Sequence, residues 1–129
     1  MKKVVVSIAN GLLAEAVTQM LTCSGEFQPV SVGISTRRED VVTRCEMLEG
    51  EMFLAEVSYA HGTTIKTRLA EAQRLREAMP QCQIVLLCDE NSAPDIAHEV
   101  MLAKRDGRID AFFYSSVTSK YLLAALMAL

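Results

Sequence analysis

The sequence predicts a doubly wound α/β fold: a five-stranded parallel sheet, strand order 2-1-3-4-5, with helices on both faces. Three observations predict it. Short apolar runs of strand length alternate strictly with segments of helical periodicity, five of each, with no linker, repeat or low-complexity stretch between them. Runs such as "QIVLLC" are apolar without alternation, which suits strands buried on both faces. The 129 residues suffice for one domain, 1–129, and half of them are hydrophobic.

The elements follow in order. "KVVVSIA" is a β-branched strand, and "GLLAEAVTQMLTCSG" a helix with Leu13, Ala16, Val17 and Met20 on one face and Gly25 as its stop. "FQPVSVGIS" is the second strand. "TRREDVVTRCEMLEG" opens with Thr36 and Glu39, a pair spaced for a capping box, and turns Val42, Cys45 and Leu48 inward. "EMFLAEVS" is the third strand. "TTIKTRLAEAQRLREAM" places Ile65, Leu69, Ala72, Leu75 and Met79 at helical spacing before Pro80. "QIVLLC" is followed by "SAPDIAHEVMLAKRDG", where Ser92 and Asp95 form a second box-like pair. "RIDAFFYSS" is the fifth strand and "TSKYLLAALMAL" the last helix. This order describes a flavodoxin-like topology, in which ligands bind beyond the carboxyl ends of the strands.

Composition excludes several classes. Net charge is −3, and the basic residues are scattered (Lys2, Lys3, Arg37, Arg38, Arg74, Arg76, Lys104, Arg105, Arg108), which argues against direct nucleic-acid binding by this segment. "VVVSIA" is too short for a signal-peptide core or a membrane span, so a cytoplasmic location without membrane attachment is expected. Cys23, Cys45, Cys82 and Cys88 form no C-x-x-C and read as small hydrophobes in a reducing compartment. There is no G-x-G-x-x-G, no P-loop and no Ser-His-Asp pattern.

The predicted carboxyl edge carries Ile8, Ala9, Asn10 and Gly11 after strand 1, Glu56, Val57 and Ser58 after strand 3, Cys88 and Asp89 after strand 4, and Tyr114, Ser115 and Ser116 after strand 5. In this arrangement the whole chain resembles bacterial two-component response-regulator receiver domains. "EMFLAE" is similar to the receiver strand that ends in the phospho-accepting aspartate, and Glu56 falls there. "QIVLLC" is similar to the strand that ends in serine or threonine, and Cys88 falls there. "IDAFFYS" is similar to the strand that ends in lysine, and Ser115 falls there. The adjacent acidic pair of receivers falls on Ile8 and Ala9, or in a register shifted by one on Ala9 and Asn10.

The departures coincide with the chemistry. The resemblance implies that phosphotransfer needs Mg²⁺, an aspartate, a hydroxyl and a lysine, and these positions hold none of the required groups. A degenerate pseudo-receiver is therefore expected: not an enzyme, with no cofactor and no metal, Glu56 occupying the acceptor position either as a phosphoryl mimic or as a hydrated carboxylate. His61 and His98 read as solvated, and Ser115 with Ser116 as a strand-to-helix connection.

Regulation through protein contacts, in a two-component or transcription context, is the expected function. The resemblance also allows an output domain C-terminal to this stretch. The last helix is more apolar than one buried stripe requires, so Tyr121, Leu122, Leu126, Met127 and Leu129 are the expected interaction surface, toward a homodimer or a signalling-protein partner. Extra length around "MLAKRDGRID" falls on the same surface. The rival from another class is a small flavodoxin-like enzyme or ligand-binding protein, using Glu56, Asp89, Asn10, His61 and the edge serines.

Overall fold

The structure is a computed structural model, and it describes residues 1–88 and 94–129. Its elements are β1 (Lys2–Ser7), α1 (Gly11–Ser24), β2 (Phe27–Ser31), α2 (Val41–Leu48), β3 (Met52–Val57), α3 (Ile65–Ala78), β4 (Gln83–Cys88), α4 (Pro94–Arg105), β5 (Ala111–Tyr114) and α5 (Ser119–Met127). The strands form one parallel sheet in the order β2-β1-β3-β4-β5, as the alternation predicts.

Strand residues alternate between two cores because successive side chains leave opposite faces. Val4, Val6, Met52, Leu54, Val85 and Leu87 pack with Val17 and Leu21 of α1 and with Leu122 and Leu126 of α5. Val5, Phe53, Ala55, Ile84 and Leu86 pack with α2, α3 and α4 through Val42, Cys45, Ala72, Leu75, Ile96 and Val100. The same parity puts Ser7 on the α2–α4 side and the Glu56 side chain on the α1–α5 side, where β1 and β3 run adjacent.

Caps define the helix starts. Asn10, Thr64 and Thr118 each accept a backbone N–H from three residues on, at the starts of α1, α3 and α5. At α2 the expected start is corrected. Thr36 Oγ1 accepts the Glu39 N–H at 3.1 Å, as expected of the pair, but the Thr36 N–H donates to the Glu39 carbonyl at 2.7 Å and not to its side chain, so the two close a tight turn before the helix. Asp40 caps the helix, accepting from the Thr43 N–H and hydroxyl. Asp40, next to the first helical residue, meets the free N–H of Thr43, while Thr36 lies further back and takes the N–H groups of Arg38 and Glu39. Of the second expected pair, Ser92 lies outside the described residues and Asp95 stands in the first turn of α4.

Two further expectations change. In α3, Ala72 and Leu75 are buried as expected, but Arg68 and Glu71 are buried beside them while Ile65, Leu69 and Met79 are only partly covered. In α5, Leu122 and Leu126 belong to this chain's own core, at 5% and 0% exposure. They cannot form an outward surface, which is left to Tyr121, Met127 and Leu129.

Candidate functional site at the carboxyl edge

β3 carries Glu56 to the rim of the sheet, half-buried, beside the turn from β1 into α1. Its Oε1 accepts the backbone N–H of Ala9 at 2.9 Å and of Asn10 at 3.3 Å. These N–H groups precede α1, where the helix dipole is positive and free donors converge, so an anion is favoured there. Glu56 is thus an internal anion for the β1–α1 turn. The extra methylene of glutamate, relative to aspartate, supplies reach toward the neighbouring turn.

Below this contact lies a buried cation that the sequence reading passed over. Arg68 has no exposed surface. Its Nε donates to the Glu56 carbonyl oxygen at 2.7 Å, Nη2 to the Ser7 carbonyl at 2.8 Å, and Nη1 to Ser7 Oγ at 2.8 Å and Glu71 Oε1 at 3.1 Å. Ser7 Oγ donates in turn to the Gly33 carbonyl. The guanidinium carbon lies 6.0 Å from the Phe53 ring centroid. Burial pushes the Arg68 pKa below its ordinary value, opposed by the neighbouring Glu71 and by the Glu56 charge. A guanidinium retains its proton through such a shift, so the group stands as a charge neutralised from within the fold.

The loop after β3 closes on itself. Ser58 Oγ and Thr63 Oγ1 are 2.6 Å apart, the Ser58 N–H donates to the Thr63 carbonyl, and Ser58 Oγ accepts from the Ala60 N–H. Gly62 has φ +88°, and a side chain there would press on Ile34. His61 and Tyr59 point to water, as does His98 on α4.

The other expected positions divide. Ile8 is buried, Ala9 presents its backbone, and Asn10 spends its side-chain oxygen on the α1 cap. Cys88 is a buried thiol at the end of β4, and its carbonyl accepts the Ser115 N–H at 2.9 Å. Ser115 lines a mostly apolar hollow between α1 and α5 with Leu13, Val17, Met20 and Leu122. Asp89 lies outside the described residues. Among the described residues no three His, Cys, Asp or Glu side chains come together as a metal-binding group. Among the described residues of this edge, Glu56 is the one carboxylate, Ile8 and Ala9 bring no side-chain oxygen and the Asn10 oxygen is engaged in its cap, whereas Mg²⁺ takes clustered oxygens. No buried side-chain nitrogen or oxygen among the described residues lacks a hydrogen-bond partner.

Ser7, Arg68 and Glu71 carried a faint sequence signal. Ser7 is the polar residue in a β-branched run, and spacing 65-68-72-75 is as helical as 65-69-72-75.

No protein-family model matches the chain, and no curated protein matches it by sequence. Solved structures match along nearly its whole length. A DNA-binding response regulator of the LuxR family from Staphylococcus aureus aligns with TM-score 0.75 at 12% identity, over 99% of this chain and 98% of that one. The signal receiver domain of the response regulator NarL from Mycobacterium tuberculosis aligns with TM-score 0.73 at 15% identity, over 98% and 94%. RcsB from Salmonella enterica serovar Typhimurium, bound to promoter rprA with the phosphomimetic BeF3⁻, aligns with TM-score 0.73 at 16% identity, over 98% of this chain and 67% of that chain. At such identities the likeness speaks for the fold, and the fold of this chain is that of response-regulator receiver domains.

Proposed function

We propose that this chain is a receiver-like signalling domain that works without phosphotransfer and regulates by contact with other proteins. The observation that carries the reading is the engagement of Glu56: the side chain in the acceptor position is hydrogen-bonded to Ala9 and Asn10. The charge below it is equally committed, since Arg68 is tied to Ser7, Glu56 and Glu71 and is not directed outward as a phosphoryl-binding cation would be. The enzyme or ligand-binding rival requires convergent polar groups directed into a pocket, whereas Glu56, Asn10, Ser58 and Thr63 at this edge are engaged with backbone N–H groups or with one another.

The contact surface in this proposal is the outer side of α5. Tyr121 is 61% exposed and Met127 52%, outside the Leu122 and Leu126 that α5 gives to the core. A two-fold homodimer through this face is the simplest closed assembly. A DNA-binding output domain after this stretch belongs to the same proposal, by analogy with the longer RcsB chain bound to its promoter. The chain should sediment identically with and without a small phosphodonor and Mg²⁺. Association that appears only with the donor would overturn phosphorylation independence.

A further inference from the structure

The polar network around Arg68 continues outward through α2 and α3. Glu71 gives Oε1 to Arg68 and receives Ser35 Oγ on Oε2 at 3.2 Å. The same hydroxyl lies 3.4 Å from Asp40 Oδ1 and accepts the Val41 N–H at 3.0 Å. Asp40 is held at both carboxylate oxygens by Arg74, whose Nη1 donates to Oδ1 at 3.0 Å. Arg74 and Asp40 are open to solvent, beside a hollow also lined by Lys66 and Thr67. A continuous path therefore runs from the exposed α2–α3 surface to the Glu56 carbonyl at the sheet edge.

One link in this path has one proton and two acceptors. A serine hydroxyl has a single proton to donate, and Ser35 has two carboxylate acceptors within reach. While Arg74 satisfies Asp40, the proton goes to Glu71, the closer acceptor, and completes the shell around Arg68. When Arg74 is withdrawn, Asp40 becomes an unneutralised acceptor and competes for the proton. Glu71 then loses a donor while buried, which is unfavourable for a carboxylate, and its ion pair with Arg68 must readjust.

We propose that Ser35 is a hydroxyl toggle between Glu71 and Asp40, through which the Asp40–Arg74 pair on the α2–α3 surface sets how firmly Arg68 and Glu56 hold the β1–α1 turn. This rests on the reading of the domain as one that acts through protein contacts, and supplies it with a route from a surface to the edge. Linkage makes the route reciprocal: whatever loosens the edge also weakens the surface pair.

Hydrogen exchange of individual amides, followed by NMR on the whole chain, tests it. The amides of Ala9 and Asn10 report on the Glu56 contact, and those of Leu54 and Val85 on the core. Arg74→Gln removes an exposed side chain and leaves the core untouched. It should accelerate exchange at Ala9 and Asn10 by about twofold to thirtyfold, the span of couplings carried through such networks, with Leu54 and Val85 unchanged. In a Ser35→Ala background the same substitution should add nothing. Arg44→Gln, which breaks the neighbouring exposed pair with Glu39, should leave Ala9 and Asn10 as in the wild type. No change at Ala9 and Asn10 in Arg74→Gln, an undiminished effect in the Ser35→Ala background, an equal effect of Arg44→Gln, or acceleration of the core amides in step would each overturn the toggle. A failed toggle leaves the phosphotransfer-independent reading intact, whereas a phosphoryl adduct on Glu56 removes that reading whatever the exchange shows.

Discussion

Arg68 Nη1 and Glu71 Oε1 meet at 3.1 Å with side-chain exposures of 0% and 5%, an ion pair one helical turn apart inside the domain. Such a pair is worth less than its Coulomb attraction suggests, because both charges were taken from water. Removing one partner strands the other. Arg68→Ala should therefore cost about 3–5 kcal/mol of unfolding free energy, read from urea denaturation. The paired change Arg68→Met with Glu71→Leu should recover the part of that loss due to the stranded Glu71 charge, and not the part due to the Ser7 and Glu56 carbonyls left without their donor. A single alanine variant as stable as the wild type would show that the pair is not buried in solution.

Asp40 gives the fold a defined acid sensitivity. Its hydrogen bond to Arg74 is the largest influence and holds its pKa at about 2, below the ordinary 3.8, against opposition from burial and with help from Thr43. A carboxyl that binds protons less readily when folded stabilises the native state above its unfolded pKa, and that contribution is lost as pH falls toward the folded one. Asp40→Asn retains a good cap and removes the charge. The variant should be less stable than the wild type at neutral pH, and the gap should close between about pH 4 and pH 2. A gap independent of pH would contradict the assignment.

The cysteines should divide by burial. Burial pushes Cys45 up to about 12 and Cys82 up to about 11, with smaller contributions from nearby acidic groups. Cys88 is also buried and Cys23 is exposed. A thiol reagent at mildly alkaline pH should modify Cys23 rapidly and the other three only after denaturant is added, since the thiolate is the reactive form. Peptide mapping that found Cys45 or Cys82 labelled first in the native protein would refute this.

On α5, neighbouring positions should behave oppositely. Leu126→Glu puts a charge into the core and should unfold the domain, seen as loss of the helical circular dichroism signal. Met127→Glu should leave the fold intact and weaken self-association in analytical ultracentrifugation. A folded Met127→Glu protein that associates as the wild type does would exclude this face as the contact.

These opposite fates mark the limit of what the sequence could reveal. In "YLLAALMAL" nearly every position is apolar, so periodicity cannot separate Leu126, in the core, from Met127, outside it. The strand order was legible because strict alternation of buried strands and helices leaves few topologies open. Glu56 was legible because it is a carboxylate at the end of an apolar run. Arg68 was not: an arginine within a charged helix ordinarily faces water, and its burial is made tolerable by Glu71 together with the hydroxyl and carbonyl of Ser7 and the carbonyl of Glu56, the last three remote from it in sequence. The start of α2 failed for a related reason, since Thr36 with Glu39 fits both a capping box and the tight turn that forms.

The central claim is that Glu56 serves as an internal anion and not as a phosphoryl acceptor. Intact-mass measurement after incubation with a small phosphodonor and Mg²⁺ tests it most directly. The protein should retain its unmodified mass, in the wild type and in Glu56→Gln alike. A stable phosphoryl adduct that maps to Glu56 and disappears in Glu56→Gln would contradict it.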